Sequence, residues 1–245
     1  VIKLNNLTKR YGNFTAVDNI SINVDAGQIY SFLGVNGAGK TTTIKMITGV
    51  LLPTSGEIRI CGEDLIKNPQ KAKSLIGYIS DRPYLYNKLT GYEFLLFCAD
   101  LYNLNSNFAK HRARELLIEY GLKDWQNQLI ESYSHGMKQR LAMSAALIHN
   151  PKVLVIDEPM VGLDPHGAKM FKESLKKYAK EGKSIFLSTH SLNVAEELSD
   201  YVTIIQSGKL LVSGTVKEIM TLAGKHDSQL EQAFIALTSS AYSQN

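Results

Sequence analysis

Gly34-Val35-Asn36-Gly37-Ala38-Gly39-Lys40-Thr41 decides how this chain is read. Glycine, four residues, glycine, lysine and a hydroxyl residue form the spacing of a phosphate-binding loop. The apolar run 29–33 before it reads as a buried strand, and residues 41–48 after it read as a helix. That handover from strand to helix separates a phosphate loop from a chance glycine turn. Gly34, Gly37 and Gly39 let backbone N–H groups turn inward, and Asn36 and Ala38 complete the cradle. The helix start adds a partial positive charge. Lys40 supplies a cation to the β- and γ-phosphates of a nucleotide, and the Thr41 hydroxyl suits Mg²⁺, with Thr42 beside it.

A second acidic element lies downstream. Val153-Leu154-Val155-Ile156 is an apolar run that delivers Asp157 and Glu158 at its end, followed by Pro159. The carboxyl ends of strands are where α/β folds place their sites. Asp157 suits Mg²⁺, held directly or through water, and Glu158 suits the orientation or deprotonation of an attacking water.

The rest of the pattern predicts the architecture. Ile20, Ile22 and Val24 alternate as in a half-buried antiparallel strand, and Ile2, Leu4 and Leu7 mark another. Residues 57–60 and 77–80 read as short strands. Between 90 and 147 the period turns helical, with Tyr92, Leu95, Leu96 and Ala99 on one face and Ala113, Leu116, Leu117 and Tyr120 on another. Strands then alternate with helices at 153–156, 167–180, 184–187 and 193–198, which predicts a parallel sheet with covering helices. A hairpin is expected at 201–213 about Ser207-Gly208. A helix capped by Thr215 is expected to reach Leu222. A polar linker at 224–228 should precede a short helix, 229–237, and a frayed end, 238–245. The fold expected is α/β: a mixed-sheet core of the P-loop NTPase type, an N-terminal antiparallel β subdomain and an inserted helical subdomain. The division expected is a nucleotide-binding unit over 1–224, its helical part about 90–147, and a C-terminal helix and tail over 225–245.

Composition narrows the function. With 44% hydrophobic and 20% charged residues the chain reads as globular. A net charge of +4 without a run of Lys or Arg gives no sign of nucleic acid. Cys61 and Cys98 are far apart and match no metal or redox spacing, which reads as two reduced thiols. No apolar run is long enough to cross a bilayer, and the start lacks a signal-peptide core, so a cytoplasmic protein is expected.

Tyr133-Ser134-His135-Gly136-Met137-Lys138-Gln139-Arg140-Leu141 completes the set. Together these segments resemble the ATP-binding cassette of ABC transporters, in the right order over essentially the whole chain. The family's signature reads Leu-Ser-Gly-Gly-Gln followed by Gln-Arg. Ser134, Gly136, Gln139 and Arg140 keep it, while Tyr133, His135 and Met137 depart from it. The wording resembles exporter ATPases of the drug and lantibiotic type. Ser134 with the N–H groups of a helix start makes a second anion site, and in the family that site, with Gly136, closes on the ATP of the opposite subunit.

The resemblance implies further roles. Tyr11 matches the aromatic that stacks on adenine. Gly162-Leu163-Asp164 matches a loop that contacts the opposite subunit, and His190 matches the switch histidine at the γ-phosphate. Where the family has a glutamine near Mg²⁺, this chain has Asp81, a carboxylate still able to bind the ion. The resemblance implies an ATPase using ATP and Mg²⁺, paired with a second cassette and a transmembrane permease at the cytoplasmic face of the membrane. A soluble ATPase of the same type and a non-catalytic nucleotide sensor are the alternatives.

Overall fold

The structure, a computed structural model, describes residues 1–158, 163–223 and 230–242. Two sheets organise it. Strands β1 (Ile2–Tyr11), β2 (Phe14–Val24), β4 (Ser55–Ile60) and β5 (Glu63–Asp64) form an antiparallel sheet in the order β2-β1-β4-β5. Ile20, Ile22 and Val24 are buried while Ser21 and Asn23 between them are exposed, so the alternation in sequence marks the face that packs.

The second sheet has the order β10-β9-β3-β8-β7-β6. Its strands are β3 (Ile29–Leu33), β6 (Ile76–Ile79), β7 (Val153–Asp157), β8 (Ser184–Thr189), β9 (Tyr201–Gln206) and β10 (Lys209–Gly214). β3, β6, β7, β8 and β9 run parallel, and β10 returns antiparallel beside β9. Every residue of β3, β7 and β8 is buried, as expected where helices cover both faces of a parallel sheet.

Helix α1 (Lys40–Ile47) follows β3, and α2 (Pro69–Ser74) precedes β6. Three helices fill the stretch between β6 and β7: α3 (Gly91–Leu101), α4 (Ser106–Glu119) and α5 (His135–Leu147). Each has a side-chain cap. Thr90 and Glu93 form a capping box, Asn105 accepts from the first turn of α4, and Ser134 accepts from Met137 N–H. Their buried residues belong to one hydrophobic cluster with Leu154 and Ile156 of β7 and Ile185 and Leu187 of β8. The helical region is therefore packed on the sheet rather than built around a core of its own. α6 (Pro165–Lys180) and α7 (Leu192–Leu198) cover β8, and α8 (Val216–Leu222) and α9 (Leu230–Tyr242) close the described chain.

The structure adds two details to the sequence reading and corrects one expectation, the end of the last helix. On α3 the fully buried side chains are Phe94, Leu95 and Ala99, while Tyr92 and Leu96 are half-buried. The helix α2 has no apolar stripe to announce it, because Ala72 is its one buried residue. And α9 continues to Tyr242, past the end expected at Leu237, with the Thr238 hydroxyl donating to the Phe234 carbonyl at 2.7 Å inside the helix. The linker 224–228 and Gln229 lie outside the described residues.

Candidate functional site

The phosphate loop leaves β3 and enters α1 through Gly39, whose φ of 112° no L side chain adopts without strain. A Cβ there would also lie 2.7 Å from the Ala16 carbonyl, which ties the loop to β2. Asn36 and Gly37 form the exposed crest, and Ala38 is buried with its N–H on the Val35 carbonyl at 3.1 Å. Lys40 is only 7% exposed. Its ammonium donates to the carbonyls of Gly34 at 2.7 Å and Val35 at 3.3 Å and stands 3.8 Å from a Glu158 oxygen. Burial pushes its pKa down, and Glu158 and Asp157 oppose that shift. The first turn of α1 carries no acid, so nothing there offsets the positive end of the helix.

Asp157 ends β7 and is 1% exposed. It pairs in register with Ser188 on β8, and the Ser188 hydroxyl donates to its carboxylate. Burial raises the Asp157 pKa. Hydrogen bonds from Ser188 and Thr41 lower it, and the nearby charges of Asp81 and Glu158 raise it further. Such a group is stabilised as an anion by a cation.

Glu158 has a φ of 48°, in the left-handed region. In a continued strand, neighbours point to opposite faces. The reversal brings both Asp157 and Glu158 to the cavity wall. The Glu158 N–H donates to the Ser188 carbonyl at 3.1 Å, which holds the turn against β8. His190, just past β8 and largely exposed, places Nδ1 2.8 Å from Glu158 Oε2. Its backbone N–H reaches the same oxygen at 3.4 Å. Glu158 is thus held between Lys40 and His190.

Lys40, Asp157 and Glu158 border a cavity of about 420 Å³, while His190 contacts Glu158 but does not line it. Lys40, Thr41, Thr42 and the loop crest meet Asp81, Asp157 and Glu158 there, and Tyr11 closes another side. Asp81 is exposed, with one oxygen accepting from Arg82 N–H at 2.8 Å. The Lys9 ammonium sits 5.3 Å from the Tyr11 ring centre and is tethered to the Leu52 carbonyl at 2.7 Å. A lysine and a helix start beside an aromatic wall suit an anionic phosphate chain joined to a flat base. Among the described residues no three His, Cys, Asp or Glu side chains could hold a metal ion by themselves. A cation here needs ligand oxygens as well as Asp157 and Thr41.

Two lining residues escaped the sequence reading, Phe14 and Ala16. The signal for Phe14 was the two-residue turn Gly12-Asn13, which makes Tyr11 and Phe14 direct cross-strand partners. Ser134 and Gly136 are not brought to the cavity. Ser134 is exposed at the start of α5, and a Cβ at Gly136 would meet nothing within 4 Å. In the segment 162–164, Gly162 lies outside the described residues, while Asp164 caps α6 by accepting from Gly167 N–H at 2.6 Å. No helix among the described residues is long and apolar enough to cross a membrane.

Comparison with known proteins agrees with this geometry. A family profile described as ABC transporter matches residues 17–161. The bacitracin transport ATP-binding protein BcrA of Bacillus licheniformis is 45% identical over 212 residues, covering 86% of this chain and 68% of that protein. The linearmycin resistance ATP-binding protein LnrL of Bacillus subtilis is 37% identical over 224 residues, covering 91% and 72%. Among solved structures, an ATP-binding subunit of an ABC transporter superposes with a TM-score of 0.91 at 32% identity, covering 97% of this chain and 99% of the other. A dimeric cassette in a post-hydrolysis state with ADP and Pi gives 0.80 at 26% identity, covering 88% and 98%. Kinship to a cassette caught after hydrolysis, with Glu158 in place against Lys40 and His190, sets the non-catalytic alternative aside. The phosphate loop, the paired acids and these relatives lead to one conclusion: the chain belongs to the ABC transporter family, as an ATP-binding subunit that hydrolyses ATP.

Proposed function

We propose that this subunit powers export through a separate membrane protein, working as a pair of cassettes at the cytoplasmic face of the membrane. The observation that carries the pairing is the separation of Ser134 and Gly136 from the cavity that holds Lys40 and Glu158. An exposed, capped helix start with open space above Gly136 is suited to a second subunit's phosphates rather than to its own. The dimeric form of a related cassette and the transport and resistance names of the relatives support the reading.

In this reading the loop N–H groups and Lys40 hold the β- and γ-phosphates, Lys40 exchanging the Gly34 and Val35 carbonyls for phosphate oxygens. Tyr11 stacks on the base. Thr41 and Asp157 would hold Mg²⁺, with Asp81 in the place of the family's glutamine, and the ion neutralises charge on the phosphates when bound. Glu158 takes the proton of the attacking water, and His190 holds the Glu158 carboxylate in line and reaches the γ-phosphate. Closure of two cassettes around ATP would pull on the membrane subunit through the segment 81–89 and the helical region.

The test is affinity purification of the tagged chain from its native membranes, with and without Mg-ATP. A membrane protein recovered in stoichiometric amount, and ATPase activity that rises on its reconstitution, is the expected result. Recovery of the chain alone, or with ribosomes or DNA, would favour the soluble ATPase.

A further inference from the structure

Phe14 is a large apolar side chain left 65% exposed at the rim of the nucleotide cavity. It opens β2 directly opposite Tyr11, the last residue of β1, across the turn Gly12-Asn13. Direct cross-strand partners project from the same face of a hairpin, and both of these line the same cavity. Ala16, at the register shift two residues further along β2, lines it too and is small and buried. Between Tyr11 and Phe14 the hairpin presents two aromatic rings with a recess behind them.

The two rings are held differently. Tyr11 is backed by the tethered Lys9 ammonium, which leaves its other face for a ligand. Phe14 carries no polar atom that could account for its exposure by hydrogen bonding. An exposed aromatic that borders a ligand cavity is explained by what the ligand covers.

We propose that Phe14 is a second base-contacting residue, so that the nucleobase is held against both Tyr11 and Phe14. This rests on the reading of the cavity as the ATP site and extends it from one aromatic wall to two. Recognition by two ring faces depends on the area of the base more than on its edge groups. A purine therefore gains more from Phe14 than a pyrimidine does.

The experiment measures binding of Mg-ATP, Mg-CTP and inorganic tripolyphosphate to the chain by calorimetry, for the unmodified protein and for Phe14→Ala, Phe14→Trp, Tyr11→Ala and Lys40→Ala. Phe14→Ala should weaken ATP by about three- to tenfold, the size of an aromatic contact. CTP should weaken less and tripolyphosphate not at all, and Phe14→Trp should restore ATP. Unchanged ATP affinity in Phe14→Ala overturns the inference. So does a parallel loss of tripolyphosphate, which would mean that the hairpin only shapes the phosphate loop. Lys40→Ala should weaken ATP and tripolyphosphate alike. If it weakens neither, the phosphate-loop reading fails, and the Phe14 inference with it. If Lys40→Ala behaves as expected and Phe14→Ala does not, only the inference falls.

Discussion

The Tyr133 hydroxyl occupies the space that a side chain at Gly91 would need. A Cβ built at Gly91 lies 2.3 Å from Tyr133 Oη, and that hydroxyl donates to the Trp125 carbonyl at 2.7 Å. Tyr133 immediately precedes Ser134, so one of the three residues that depart from the family's signature packs the signature loop against the start of α3. Gly91→Ala should destabilise the fold by about 1–3 kcal/mol through overpacking. Tyr133→Phe in the same chain should recover most of that loss, because the clashing atom is the hydroxyl. Urea unfolding of the two single variants and the double variant checks this; additive losses would show that the two residues are not coupled.

Glu158→Gln should bind ATP and lose turnover by roughly 10²- to 10⁴-fold, since an amide does not accept the proton. Its contact with His190 can persist as a hydrogen bond, so the site should keep its shape. Mg-ATP should then hold two cassettes together on size exclusion. A variant with unaltered turnover would remove Glu158 from the role of base.

Ser134→Arg should leave the ATP affinity of the single subunit nearly unchanged, because Ser134 does not line the cavity. Turnover of the assembled transporter should collapse, by bulk at the subunit junction. Ser134 also caps α5, and loss of that bond costs about 1 kcal/mol. Equal loss of ATP binding by the isolated subunit would place Ser134 in its own subunit's site.

Asp81 faces Asp157 and Glu158 across the cavity, and its charge helps to raise the Asp157 pKa. Asp81→Gln should preserve or raise Mg²⁺-dependent hydrolysis, since the amide can ligate without adding charge. Asp81→Ala should lower it and weaken stimulation by the membrane subunit. Mg²⁺ titrations of ATPase activity, with and without that subunit, separate the variants. Identical curves for all three proteins would make Asp81 a solvated loop residue.

His149 follows α5 and stacks on Tyr102 at 3.6 Å between ring centres. Its Nε2 lies 3.0 Å from the Ile76 carbonyl, which can only accept, so Nε2 carries the proton and Nδ1 is bare and buried. Burial pushes its pKa down to about 4 from 6.5. Between those values the unfolded chain is protonated and the native chain is not. Stability present above pH 6.5 should therefore fall as the pH drops toward 4, by on the order of 3 kcal/mol from this group. The urea midpoints at pH 7.5 and 4.5 should lie closer together in His149→Phe, which keeps the stacked ring and cannot titrate. An unaltered pH dependence in that variant would rule out His149 as the group responsible.

Much of this protein was legible from local pattern. The strand 29–33, the phosphate loop and the acids after 153–156 are written in contiguous residues. Spacing, periodicity and glycine placement are properties of neighbouring residues, so they survive without a fold. Only the tertiary structure decided which distant pieces meet. The strand order β10-β9-β3-β8-β7-β6 sets β7 beside β8, and that adjacency supplies Ser188 to Asp157 and His190 to Glu158. The left-handed turn at Glu158, against residue type, persists because the Ser188 carbonyl and the flanking Lys40 and His190 hold it. Nothing in the local pattern singled out Phe14; the hairpin register set it beside Tyr11 at the cavity. The exposed position of Ser134, away from the cavity, is in keeping with the resemblance, which put Ser134 at the ATP of an opposite subunit. Register and strand order come from the summed burial of many side chains far apart in the chain, and no local window contains that sum.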